Sequence, residues 1–171
     1  TIKRLKIKFK KTIFLNKNEI NNKKYNNFFD VIHLGDVLEH VINPDYLLQN
    51  LQKKIKKKGL LYIEGPIERN LSLVNFFIIA FGNIKRFISP NYKNNFKPYH
   101  LFFCNFQNQL SMIKKINKFK IIDYKIYETG WPYNCGGYLK KNIALIAILF
   151  SKLNIFGFNI GNRFRIILQK K

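Results

Sequence analysis

An α/β fold with parallel strands is predicted by three consecutive features of this 171-residue sequence. They are a short β-branched apolar run, a helix-spaced segment opened by proline, and a second apolar run behind a glycine. The first, Phe28 to Gly35, reads Phe-Phe-Asp-Val-Ile-His-Leu-Gly, follows an Asn/Lys-rich turn and fits a buried strand. From Pro44 onward Leu47, Leu48, Leu51 and Ile55 fall at helical spacing, and Pro44 suits a helix's first turn. Lys57-Lys58-Gly59 is expected to close that helix, with cations in its last turn and glycine just beyond it. Leu60 to Glu64 is the next strand, stopped by Gly65-Pro66. Strand, helix and strand at this length make a right-handed crossover between parallel strands.

The remaining segments continue the alternation. Leu71 to Phe81 is apolar but too short to span a bilayer. Pro90 to Pro98 reads as an exposed loop, Gln107 to Lys118 as a helix, and Phe119 to Glu128 as a strand. Tyr138 to Leu153 is predicted to be a second apolar helix and Arg163 to Leu168 the final strand. No internal repeat or linker divides the chain, so residues 1–171 are read as one domain.

Composition allows a core, with 47% hydrophobic and 16% aromatic residues. The formal charge of +22 would ordinarily point to a polyanionic partner. Of the 31 basic residues, however, only Arg4, Arg69, Arg86, Arg163 and Arg165 are arginine, the side chain that base and phosphate readers favour. Lysine, asparagine and isoleucine are inflated together, a drift that raises charge without selecting a ligand. Nucleic acid is therefore not the expected partner, and a basic nucleic-acid-binding module is kept only as an alternative. Weak association with an anionic membrane surface fits the same charge. Cys104 and Cys135 have neither CxxC spacing nor a nearby histidine pair, which excludes a zinc ribbon and suits two reduced thiols in the cytoplasm. The start, Thr-Ile-Lys-Arg, is not an initiator methionine, and the chain is expected to be the C-terminal part of a longer protein.

The run Phe29-Asp30-Val31-Ile32-His33-Leu34-Gly35-Asp36-Val37-Leu38-Glu39-His40-Val41 resembles the fourth strand and following turn of class I S-adenosylmethionine-dependent methyltransferases, in particular their ubiquinone-biosynthesis-like, small-molecule branch. The resemblance extends through Asn43-Pro44, Gly59, Gly65-Pro66, His100-Leu101-Phe102-Phe103 and Lys118-Phe119-Lys120-Ile121, all in the family's order. It implies a Rossmann-like, doubly wound, mostly parallel sheet with an antiparallel last strand. It also implies S-adenosylmethionine as cofactor, a small-molecule methyl acceptor, and a substrate-covering lid over residues 69–99.

Site residues carried over by the resemblance begin with Leu34, Gly35 and Asp36 on the cofactor, where ligands meet the carboxyl ends of parallel strands. Gly35 would let the backbone approach closely, and Asp36 would accept from an amino group. His40 and His100 are the candidate general bases or substrate contacts. Glu39 is expected to brace the turn, His33 to be a core histidine, and Glu64 or Glu68 to meet the acceptor. The family's glycine-rich loop and ribose-gripping acid have no counterpart here. The 28 residues before Phe29 leave room for one helix and a third strand near Lys11 to Leu15, with Asn16 or Asn18 against the adenine. The first strands are thus expected to be missing and cofactor affinity weakened, the alternative being a non-catalytic remnant or interaction module.

Overall fold

The computed structural model describes residues 15, 17–91, 100–152 and 160–171. Four strands, β1 (Phe29–Gly35), β2 (Ile55–Pro66), β3 (Phe119–Tyr127) and β4 (Arg163–Lys170), form one sheet in the order β1-β2-β4-β3. β1 and β2 are parallel, and β4 runs antiparallel to both β2 and β3. The expected α/β architecture, with a last strand opposed to the others, is what the chain adopts. The segment assigned to a third strand near Lys11 to Leu15, and Asn16 with it, lies outside the described residues except for Leu15.

Among the described residues five α-helices accompany the sheet: α1 (Lys17–Ile20), α2 (Pro44–Lys54), α3 (Leu73–Ile88), α4 (Phe106–Lys115) and α5 (Tyr138–Ser151). Each of the longer three that follow a polar residue is capped by it. The side chains of Asn43, Ser72 and Asn105 accept from the backbone N–H of Tyr46, Asn75 and Asn108 and so satisfy donors that a helix start leaves open. Alternate residues of the sheet, Leu34, Leu61, Ile63, Phe164, Ile166 and Leu168, are buried on one face, where Leu48 and Leu51 of α2 and Phe106 and Ile113 of α4 join the same core. The opposite face carries His33, Tyr62, Glu64, Arg165 and Asp123. None of the described helices is long and apolar enough to cross a membrane.

Two local expectations are corrected. The crossover helix ends at Lys54 rather than at Gly59, because Ile55 is fully buried in the core and already pairs with Phe29 in the sheet. The buried Lys54 ammonium donates to the Asn21 and Asn22 carbonyls and to Asn26 Oδ1, which anchors the last turn to the Asn-rich segment. The strand register then jumps between Phe29 and Val31, where the facing residues advance from Ile55 to Leu60. Lys58, not Gly59, takes the left-handed conformation there, at φ 64°. The second correction is His33, which is exposed rather than in the core. Strand alternation assigns it to the face opposite Leu34, where it meets the Tyr62 ring edge-on at 4.9 Å.

Candidate functional site

The candidate site lies where β1 and β2 end side by side. Gly35 is the last residue of β1, and Asp36 leaves the strand in a left-handed conformation at φ 51°, its N–H donating to the Glu64 carbonyl at 3.1 Å. The chain then drops into a 3-10 turn, Leu38–His40, that buries Leu38 and Glu39 and leaves His40 exposed. From the far side the segment after residue 99 is laid across both strand ends. The Leu101 N–H donates to the Glu39 carbonyl at 2.8 Å, and the Arg69 N–H donates to the Cys104 carbonyl at 3.2 Å. Two short backbone ties therefore bring His100, distant in sequence, against the turn that carries His40.

The side chains gathered there are few and chemically specific. The rings of His40 and His100 meet edge to face with centroids 5.0 Å apart. Glu68, just beyond β2, pairs through Oε1 with His100 Nδ1. Glu39 Oε1 lies 4.0 Å from His40 Nε2. The same carboxylate oxygen is buried without a hydrogen-bond partner, in a residue only 5% exposed. Burial pushes the Glu39 carboxyl above its ordinary value and the charge of Asp36 adds to this, against its own backbone hydrogen bond and the two histidines. Burial likewise raises the Cys104 thiol, helped by Glu68 and Glu39, so that this cysteine stays protonated. Asp36 accepts from the Arg163 guanidinium at 2.5 Å.

The structure thus brings Leu34, Gly35, Asp36, His40 and His100 to one rim, with Leu34 buried beneath it and the rest at or near the surface. Asn16 lies outside the described residues. Glu64 is turned toward Tyr62, whose hydroxyl donates to it at 3.2 Å, and toward His33. The coupling of Glu68 to His100 and of Asp36 to Arg163 was not readable from spacing, since each pair is brought together by the fold alone. The one signal available was compositional: Asp36, Glu39, Glu64 and Glu68 are four of only nine acids in the chain.

A second feature is a groove of about 670 Å³ between α3 and α5, lined by Phe81, Ile84, Leu139 and Ile143 with Lys85 and Lys140. Glu128, just after β3, is tied to Ser72, the residue that caps α3. This buried carboxylate accepts from the Ser72 hydroxyl at 2.6 Å and the Gly130 N–H at 3.0 Å. Burial raises its pKa despite these bonds.

A crossover with parallel strands, a core on one sheet face, and polar side chains at the strand ends define an α/β fold, and the candidate site lies at the carboxyl ends of the strands, where such sheets commonly bind ligands. A methyltransferase-domain family matches residues 4–100, more than half of the chain, and the chain belongs to that family. Among solved structures, it is similar to an S-adenosylmethionine-dependent methyltransferase from Thermotoga maritima, with 16% identity and a TM-score of 0.54 over 99% of this chain and 70% of that one. A Listeria monocytogenes protein assigned to the same class gives 8% identity and a TM-score of 0.50 over 100% and 77%. One from Archaeoglobus fulgidus gives 21% identity and a TM-score of 0.46 over 96% and 71%. At these identities the likeness establishes the Rossmann-like fold. No match was found among curated proteins. S-adenosylmethionine is the cofactor that membership of the family implies.

Proposed function

We propose that this chain carries the acceptor side and part of the cofactor side of an enzyme that transfers methyl groups from S-adenosylmethionine to a small molecule. The observation that supports the reading is the meeting of His40 and His100, ring centroids 5.0 Å apart, at the rim where β1 ends in Gly35. The described residues fit the part of the cofactor that a strand end would touch. Gly35 is exposed with no side chain of its own, and the left-handed turn at Asp36 takes the following chain out of the strand. Leu34, Gly35 and Asp36 would hold it there, with Asp36 shared between the cofactor and Arg163. Asn16 would lie at the adenine. When bound, the cofactor supplies a methyl group on a sulfonium centre, which an acceptor atom displaces in line.

The protein's own part is placement and proton handling. Glu68 fixes the orientation of the His100 ring through Nδ1, which leaves Nε2 to take a proton from the acceptor. Glu39, buried with only its Oε1 unpaired, keeps the turn that presents His40 close to that ring. Calorimetric titration with S-adenosylhomocysteine tests the reading, with saturable binding in the micromolar range expected. His100→Ala is then expected to abolish turnover of an accepted substrate while leaving that binding within about twofold. Loss of binding together with turnover would sink the division of roles.

A second reading concerns where the enzyme works. Phe76, Ile79, Phe87 and Ile88 on α3 and Leu139 and Leu145 on α5 are exposed, and Lys85, Arg86, Lys140 and Lys141 stand beside them. Such a pair of helices suits weak attachment to an anionic lipid surface. Flotation with anionic but not with neutral vesicles is expected, and no flotation with either would remove this reading.

A further inference from the structure

The N-terminus of α5 is built to receive negative charge. Gly137 caps the helix without a side chain, and its carbonyl accepts first from the Lys141 N–H at 3.0 Å. The N–H groups of Tyr138, Leu139 and Lys140 are thus left without a partner among the described residues. The first turn carries Lys140 and Lys141 and no acid, although cations there oppose the helix dipole. Nothing stands within 4 Å of where a Gly137 side-chain carbon would be, so the approach to these donors is open. We propose that this helix start, with the groove between α3 and α5, binds one alkyl phosphate.

Two further observations point to a ligand there. First, Tyr133 is only 7% exposed and lines the groove, yet its hydroxyl makes no hydrogen bond among the described residues. Burial alone raises its pKa, with no bonded partner contributing. A buried phenol without a partner is costly, and an acceptor oxygen of a bound molecule satisfies it. This tyrosine opens the turn that leads into the helix, where the Gly136 N–H donates to the Tyr133 carbonyl at 2.9 Å. Second, Lys140 is folded back over that turn, since a side-chain carbon at Gly136 would lie 2.6 Å from Lys140 Cδ. Its stem is therefore held beside the helix start, and Lys85 of α3 lines the same groove.

The groove selects the rest of the ligand. Its volume of about 670 Å³ falls within the range of small-molecule sites. Phe81, Ile84, Leu139 and Ile143 make its walls apolar, which suits a hydrocarbon chain. A phosphoryl group brings about three acceptor oxygens and a charge of about −2. That matches the open N–H groups and the lysines beside them better than one carboxylate does. A groove between two helices takes a single chain, whereas a membrane phospholipid, with the same head chemistry, meets the helices from outside. None of the groove's lining residues belongs to the rim of His40 and His100, so the site stands apart from the methyltransferase reading.

Titration calorimetry of the full chain with dodecyl phosphate, kept below its micelle-forming concentration, tests it. One molecule per chain is expected, with decyl phosphate about tenfold weaker and inorganic phosphate at least about a hundredfold weaker. Dodecyl maltoside, which has the chain but no charge, should be at least about tenfold weaker. Gly137→Asp places a carboxylate on the open N–H groups. It should cost at least about tenfold in binding while leaving the melting temperature unchanged or higher. Lys140→Ala should weaken binding by about tenfold and Tyr133→Phe by about fivefold. Should Gly137→Asp fail to fold, Lys140→Ala decides. No saturable binding, binding indifferent to the head group, or binding that survives both Gly137→Asp and Lys140→Ala overturns the proposal. So does capture by phosphatidylglycerol vesicles without binding of the monomeric alkyl phosphate.

Discussion

The rim at the ends of β1 and β2 and the paired helices α3 and α5 are opposite kinds of surface on one small sheet. The rim concentrates carboxylates and imidazoles: Glu39, Glu68, His40 and His100. The helices expose Phe76, Phe87, Ile88, Leu139 and Leu145 and carry no acid at all, only lysine and arginine. A net charge of +22 describes neither. The lesson is that the lysine excess is spread over solvated faces while the few acids are placed. Chemistry is read here from the rare residues, not from the abundant ones.

The difference can be broken most forcefully from beneath. Phe164 is 1% exposed, and its ring lies 3.5 Å from where a side-chain carbon at Gly65 would stand, with Glu39 Oε2 equally near that point. Phe164→Ala should cost about 3–5 kcal/mol in chemical denaturation and disturb the rim with the core. Next is Gly130, which joins the sheet to the helices. It holds φ 72°, and a methyl group there would stand 2.7 Å from the Ala144 side chain of α5. Gly130→Ala should lower stability by about 1–3 kcal/mol and displace α5 while sparing the contact of His40 with His100 at the rim.

A smaller effect of opposite sign is expected at Glu39. Its folded pKa is raised, first by burial, so the folded state holds its proton more tightly than the unfolded chain does. The resulting stability is fully present below the ordinary carboxylate value and is lost as pH rises through the raised one. Glu39→Gln should therefore stabilise the chain at neutral pH by about 1 kcal/mol and flatten its melting temperature against pH. Glu128, raised by burial as well, contributes in the same direction and would remain. A variant less stable at neutral pH, with the pH dependence intact, would show that Glu39 is satisfied in solution. Smallest of all, Phe87→Ser on the 92% exposed tip of α3 should change stability by less than about 0.5 kcal/mol. Its effect belongs in vesicle flotation, where it should reduce the bound fraction.

Much of the fold was legible because it is written in local patterns. The β-branched run at Val31-Ile32, the helical spacing after Pro44 and the alternation of Arg163 to Leu168 depend on neighbours a few residues apart. Where a long-range contact overrides the local signal, the reading fails. Gly59 looked like a helix end, but burial of Ile55 in the sheet stops the helix a turn earlier. His33 looked internal because its strand is apolar on average, although its position in the alternation assigns it to the open face. For the site, the turn from Gly35 to His40 is one continuous stretch and could be read as such. The pairing of His100 with Glu68 and the isolation of Glu39 Oε1 arise only when the segment after residue 99 crosses the strand ends.

The sheet order carries a consequence for how this chain is made. β4 follows every other described element, yet it lies between β2 and β3 and supplies the hydrogen bonds that join them. Until Arg163 to Lys170 have left the ribosome, the parallel pair and β3 have no common edge. The nascent chain must wait with Leu61, Ile63 and Phe119 uncovered, and its final fold is fixed only after synthesis has passed the last strand.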